Sequence, residues 1–354
     1  MKGGISMHIK ILFTGGTIGS AVMPDGALDT ADSYELLRRY AASHPDDRSE
    51  FDARQPLSVL SENLTAADWN QLLDALRRID WDGCDGVIIT HGTDTLAFTA
   101  NLLAVVLEDV RIPVLMVSSQ YVLDDPRSDG LQNFEAAVRY ICGGGPAGVY
   151  VPTSNGRESV SLYRAAGLRQ CDPANDAFTN ADGAPFGHIL SGRFSPSGRR
   201  PEPQKPKGGA PATLTRIGRL TDCVLLIQPY PGLDYRSLTP SDGIRAVLHG
   251  AYHSGTASAL LPNNPHSLLY FQTVCRHRGL PVFLAPVRSR NALYETMKNL
   301  QDDGILPLRV RTLEEAFAEL LVALCLHRDV DGALLRLRER GLLHAQTVPA
   351  PAVL

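Results

Sequence analysis

Short, largely apolar runs alternate along the first half of the chain with stretches of helical period. Ile9 to Phe13, Val87 to Thr90, Val114 to Val117 and Gly148 to Val151 are brief and rich in β-branched residues, which predicts buried strands. Between them, Trp69, Leu72, Leu73, Leu76 and Ile79 recur at the spacing of one helix face within 68–79, and Thr65 with Asp68 forms a capping box ahead of them. Leu96 to Leu107 is apolar on nearly every side and predicts a buried helix. Strands alternating with helices predict an α/β fold, a mostly parallel sheet flanked by helices.

The pattern breaks at 195–212, SPSGRRPEPQKPKGGAPA, which is dense in Pro, Gly and charge and has almost nothing to bury. It resumes with strand-like 224–227 and 246–248, a helical stretch over 266–276, and strand-like 282–285. Thr312 with Glu315 caps a last long helix whose Leu313, Phe317, Leu320, Leu321 and Leu324 share a face. The expected organisation is a larger N-terminal domain over 1–194, a linker over 195–214, a smaller C-terminal α/β domain over 215–340 and a tail over 341–354. Neither an internal repeat nor a heptad run is present.

A chain of 354 residues is long enough for two domains with separate cores. Lys plus Arg number 34 against 38 Asp plus Glu, a net charge of -4, which speaks against nucleic acid or an anionic membrane as partner. The six cysteines are scattered without a C-x-x-C pair, which fits reduced thiols and excludes a zinc ribbon. Met1 to Lys10 runs straight into the first strand and no apolar stretch reaches 18 residues, so a soluble cytoplasmic protein is expected.

Two motifs carry the chemistry. Thr14-Gly15-Gly16-Thr17-Ile18-Gly19 and His91-Gly92-Thr93-Asp94-Thr95 each place a threonine in a glycine-containing turn straight after a predicted strand. Strands of an open parallel sheet deliver their next residues to the carboxyl edge, where ligands bind. A threonine hydroxyl is a weak nucleophile and needs a proton acceptor and donors for a developing oxyanion. Glycines let backbone N–H groups approach a substrate closely, and Asp94 beside Thr93 could take a proton or hold an ammonium group. Taken singly, the first motif also reads as a plain strand-to-loop turn, and the second as an N-cap in which Thr93 or Asp94 precedes the helix at Leu96. Occurring together at the ends of two sheet strands, they favour catalysis.

Both motifs and their flanks resemble the bacterial L-asparaginases, in particular the cytoplasmic type I branch. The similarity extends to 113–133, PVLMVSSQYVLDDPRSDGLQN, and to Gln228-Pro229-Tyr230-Pro231-Gly232; it is strong over 1–180 and weak over 215–340. The resemblance implies that Thr17 attacks the side-chain amide of asparagine, releasing ammonia and leaving a β-aspartyl ester. It implies that Thr93 and Asp94 handle proton transfer and water, with Asp94 also gripping the α-amino group. Ser61 and Glu62 fall where the family holds the α-carboxylate and α-amino groups, and Gly92 and Ser119 fall in the pocket lining; Ser61 and Glu62 also read as residues merely leading into the Thr65 cap. No metal or organic cofactor is implied, and the partner is a small-molecule substrate, with the site completed by a second subunit in a homodimer or homotetramer.

The sequence departs from that pattern. The family lysine near the second threonine is missing, since no lysine occurs between Lys10 and Lys205; the nearest cations are Arg164 and Arg169, of which Arg169 is the candidate. Arginine keeps its charge and cannot act as a base. The family's mobile tyrosine is not evident, Tyr34 lying further on, and an asparagine often donated by a neighbouring subunit is replaced around Thr256. Two alternatives follow: a silent amino-acid-binding or regulatory protein, and a relative that hydrolyses the glutamine amide for transfer onto misacylated tRNA.

The remaining motifs are weaker. His249 and His253, four apart, read as ordinary histidines rather than a metal pair. His91 reads as shaping its loop. Gly143-Gly144-Gly145 lacks the Lys-Ser/Thr of a phosphate loop and TGGTIG lacks dinucleotide spacing, which disfavours ATP and NAD. Arg127-Ser128-Asp129-Gly130 reads as a turn into a helix carrying Phe134 and Val138.

Overall fold

The computed structural model describes residues 6–22, 28–30, 34–155, 157–198, 208–287 and 294–344. The chain divides into two compact units, Met1–Ile217 and Gly218–Leu354.

The first unit is built on β1 (His8–Leu12), a short ribbon of β2 (Ser20–Val22) and β3 (Leu28–Thr30), then β4 (Glu50–Arg54), β5 (Gly86–Thr90), β6 (Pro113–Val117), β7 (Gly148–Thr153), β8 (Val160–Arg164), β9 (Gly187–Leu190) and β10 (Arg193–Pro196). All but the ribbon form one eight-stranded sheet in the order β10-β9-β8-β7-β6-β5-β1-β4. The stretch β4-β1-β5-β6-β7 is parallel, while β8, β9 and β10 are added antiparallel. β4 escapes the sequence pattern because an edge strand reading EFDAR has no buried position. Four helices, α1 (Glu35–Ser43), α2 (Ala66–Arg77), α3 (Leu96–Val106) and α4 (Gly130–Cys142), flank the sheet, and a short α5 (Ala212–Arg216) follows. Ile9, Ile11, Ile88, Leu115 and Val117 pack in one buried cluster with Leu36 and Tyr40 of α1 and Phe134 and Val138 of α4.

Helix starts follow the capping chemistry read from the sequence, with one correction. The Thr65 N–H donates to the Asp68 carboxylate at 2.8 Å, and α4 begins at Gly130 as the Arg127–Gly130 turn predicts. α3, however, is entered through Thr95, and neither Thr93 nor Asp94 occupies its cap. The ends of the Pro-rich segment are structured: Ser195 and Pro196 complete β10 and 212–216 form α5, where the carbonyls of Leu214 and of Ile217, just past its end, accept from the Arg77 guanidinium at 3.1 and 2.9 Å. Residues 199–207 lie outside the described residues.

The second unit holds a parallel sheet in the order β11-β12-β13-β14, from β11 (Val224–Ile227), β12 (Ala246–Gly250), β13 (Val282–Ala285) and β14 (Leu306–Pro307). Its helices are α6 (Leu268–His277), α7 (Glu295–Asp302), α8 (Leu313–Leu326) and α9 (Val330–Glu339). The Thr312 hydroxyl caps α8 by accepting from the Glu315 N–H at 3.1 Å. α8 is not the last helix: α9 follows, and with Gly332 inside it and only Ala333, Leu334 and Leu337 buried it gives too thin an apolar stripe to stand out. Among the described residues no helix is long and apolar enough to cross a membrane.

Candidate active site

Parallel register brings the ends of β1 and β5 side by side, with Ile11 opposite Ile88 and Leu12 opposite Ile89, and Thr90 stands opposite Val117 of β6. The strand exits are then tied together. The Thr14 N–H donates to the Thr90 hydroxyl at 3.2 Å, the Thr14 hydroxyl donates to the Thr90 carbonyl at 2.6 Å, and the His91 N–H donates to the Val117 carbonyl at 2.9 Å.

From this platform the two glycine turns meet backbone to backbone. Gly15 and Gly16 have φ of +96° and +78°, values that favour glycine. A Cβ on Gly16 would lie 2.3 Å from the Gly92 nitrogen, and one on Gly92 would lie 2.5 Å from the Ser61 Oγ. The segment ahead of Ser61 is held by the same loop, since the Gly16 N–H donates to the Val59 carbonyl at 3.0 Å and the Val59 N–H to the Thr14 carbonyl at 3.1 Å. Three chain segments, 14–17, 59–62 and 91–95, therefore share one end of the sheet.

Thr17 opens a 3-10 turn, Thr17–Gly19, and its half-buried hydroxyl has no hydrogen-bond partner among the described residues. Thr93 is likewise half-buried and unbonded among the described residues. Asp94 is exposed, and its Oδ2 accepts from the Ser61 hydroxyl at 3.3 Å. Ser61 is buried at the start of the 3-10 turn Ser61–Asn63, and its carbonyl accepts from the Thr95 hydroxyl at 2.9 Å. Glu62 follows, exposed, in the same turn. An exposed carboxylate, a serine hydroxyl and two unbonded threonine hydroxyls at one sheet edge can bind a charged amino acid and present a nucleophile to it.

Two sequence-selected residues stand differently. The buried Ser119 hydroxyl donates to the Tyr121 carbonyl at 2.5 Å, within reach of Ser128 and Asp129, so it is committed to the turn that launches α4. Arg169 is exposed, its N–H donates to the Thr179 carbonyl at 3.0 Å, and it forms no ion pair among the described residues. Its neighbours are tethered to the site elements: Asn101 of α3 accepts from the Gly167 N–H at 2.7 Å and donates to the Leu168 carbonyl at 3.0 Å. Gln120, one residue beyond Ser119, donates to the Cys171 sulfur at 3.3 Å and the Asp176 carbonyl at 2.9 Å. Burial raises the Cys171 pKa, and the Asp176, Asp172 and Asp94 charges add to the shift in that order. Arg164 instead lies over the Phe186 ring at 4.2 Å.

Thr14 and Thr95 thus tie the site segments together, while Asn101 and Gln120 fasten 167–176 to α3 and to the end of β6; sequence reasoning singles out none of the four. Asn101 carries a signal, as an amide inside a largely apolar helix, where a buried polar group needs partners.

His91 is fully buried, with Nδ1 bonded to the Gly92 carbonyl at 2.8 Å and Nε2 unpartnered among the described residues. Burial lowers its pKa from 6.5 to about 4, so the ring is neutral and serves the loop. In the second unit His249 is also buried and lowered to about 4; its nitrogens face the Tyr235 hydroxyl and the Gly250 carbonyl, both at 2.8 Å, while His253 is exposed. Both folded-state values lie below the unfolded one, so the unfolded chain takes up these protons first. Each neutral ring contributes stability that is fully present above about pH 6.5 and lost as the pH falls to about 4, roughly 3 kcal/mol per ring. Urea unfolding midpoints are expected to fall markedly between pH 7 and pH ~4.5; equal midpoints would contradict neutral burial of these rings.

A family model described as "Asparaginase, N-terminal" matches residues 8–199. The chain belongs to the asparaginase family. A glutamyl-tRNA(Gln) amidotransferase subunit of Thermoplasma acidophilum is 34% identical over 180 residues, covering 50% of this chain but only 43% of that protein. The protein of the same name from Metallosphaera sedula is 28% identical over 337 residues, covering 91% of this chain and 73% of that one. Among solved structures, the thermostable L-asparaginase from Thermococcus kodakarensis superposes with a TM-score of 0.75 at 22% identity, covering 94% of this chain and 97% of that one. L-asparaginase I from Vibrio cholerae gives 0.72 at 24%, covering 99% and 100%. The two-sheet α/β fold is thus the asparaginase fold.

Proposed function

We propose that the protein is an amidohydrolase that releases ammonia from the side-chain amide of L-asparagine, with Thr17 as nucleophile. The contact between the Gly16 and Gly92 backbones carries this reading, because it sets the nucleophile's loop against the loop of Thr93 and Asp94. In the first step the Thr17 oxygen bonds to the amide carbon, its proton passes to the leaving nitrogen, and ammonia departs from a β-aspartyl ester. Water then adds to the ester carbon, the Thr17 oxygen leaves with a proton, and aspartate is released. Asp94 and Glu62 offer their carboxylates to the substrate's ammonium group, Ser61 donates to its α-carboxylate, Thr93 orients the water, and Gly92 and Ser119 shape the pocket.

Arg169 supplies fixed positive charge to this site, where it favours developing negative charge but cannot shuttle a proton. Arg169→Ala is expected to lower kcat by roughly tenfold, with KM little changed; an unaltered kcat would make it a bystander. The active assembly is a cytoplasmic homodimer or homotetramer, which size-exclusion chromatography with light scattering tests.

A second reading follows from the amidotransferase subunits among the relatives: the amide attacked is that of glutamine. Coupled ammonia release from L-asparagine, L-glutamine and D-asparagine separates the two. Preference for L-asparagine supports the first reading and preference for L-glutamine the second. Saturable asparagine binding without ammonia from any of the three would overturn both in favour of a silent binding protein.

A further inference from the structure

A cleft of about 590 Å³ in the first unit lies apart from the threonine loops, between the outer face of α4 and the β9–β10 hairpin. The hairpin turns through Ser191 and Gly192 at φ of +48° and +73°, two successive positive values as a type I′ turn requires. A serine in that conformation is strained, by about 1 kcal/mol, and such strain gathers at functional rims. The tip rests on α4, where a Cβ on Gly192 would lie 3.4 Å from the Arg139 side chain.

Charges of both signs line the cleft. Arg139 and Arg193 are exposed and form no ion pair among the described residues. Among the described residues Glu158 is likewise exposed and forms no ion pair, and Glu135 has only the His44 ring, 3.7 Å away. The Glu158 side is held in place by Gln132, which donates to the Arg157 and Glu158 carbonyls at 3.0 and 2.9 Å. Buried Ala136, Val160 and Ile189 supply an apolar floor.

We propose that this cleft is a second binding site, for a small zwitterion of amino-acid to short-peptide size. A simple anion drawn to the two guanidiniums would meet two carboxylates, and a simple cation the reverse. A ligand with a carboxylate at one end and an ammonium at the other satisfies both sets, with charge-assisted hydrogen bonds to the arginines. The volume exceeds what a single amino acid fills and lies in the range of ordinary ligand sites. Because no residue of this cleft belongs to the threonine site, the assignment stands whichever amide that site hydrolyses.

Calorimetric titration of the full chain with glycine and with triglycine tests it. At least one is expected to give saturable heat; glycine alone would identify a free amino acid, triglycine alone a peptide. N-acetylation or amidation of the binding probe is expected to weaken it by roughly tenfold or more, as are Arg193→Ala and Glu158→Gln. Both variants should release ammonia at the wild-type rate without the probe. No saturable heat up to about 10 mM, equal binding of the blocked probes, or unchanged binding by both variants would overturn the assignment.

Discussion

Thr17→Ala is expected to lower ammonia release by about 10³-fold or more while leaving the unfolding midpoint within about 2 °C of wild type. The asymmetry follows from the environment of the side chain. Its hydroxyl is half-buried and bonds to nothing among the described residues, so its removal strands no partner among them. Initial rates with saturating asparagine, together with thermal unfolding of the same sample, check both halves. A variant with an unchanged rate would take the nucleophile's role from Thr17.

Gly16→Ala is expected to lose both activity and stability. A methyl there would lie 2.3 Å from the Gly92 nitrogen and 2.4 Å from its Cα, and neither backbone atom can swing aside as a side chain would. Placing an L-residue at φ +78° adds about 1–2 kcal/mol of its own. Gly144 separates the two costs: its φ is +66°, yet a Cβ there meets nothing within 4 Å. Gly144→Ala should therefore cost only the backbone strain and keep full activity, whereas Gly16→Ala should force the threonine loops apart. Matched urea unfolding and ammonia assays would show it; an active Gly16→Ala protein would mean the loop contact is not needed.

The parts of this fold legible in the sequence are those in which local pattern and tertiary burial agree. Strands buried on both faces, such as Gly86–Thr90 and Pro113–Val117, read as unbroken apolar runs, and the Thr65 and Thr312 caps stood in their motifs. The edge strand EFDAR and the antiparallel extension GHIL and RFSP are not legible, because pairing with a neighbour rather than their own pattern makes them regular, and the Gly-containing α9 is not, because its apolar stripe is too thin.

The site divides along the same line. Both threonine loops could be placed at strand exits from sequence, but their mutual contact depends on β1 and β5 being neighbours in register, which no local pattern encodes. The capping reading of Thr93 and Asp94 gave way because the helix is entered one residue later, at Thr95, whose hydroxyl turns to the Ser61 carbonyl. Ser119 follows β6, but its hydroxyl serves the next turn, because a local carbonyl competes with any ligand for its proton.

The proposed chemistry rests on an ester formed at one particular threonine. Rapid acid quenching during asparagine turnover, followed by peptide mapping, tests it most directly. An aspartyl group on the peptide containing Thr17, absent from Thr17→Ala, is the predicted result. An aspartyl group on the peptide containing Thr93, or ammonia release by Thr17→Ala at the wild-type rate, would contradict it.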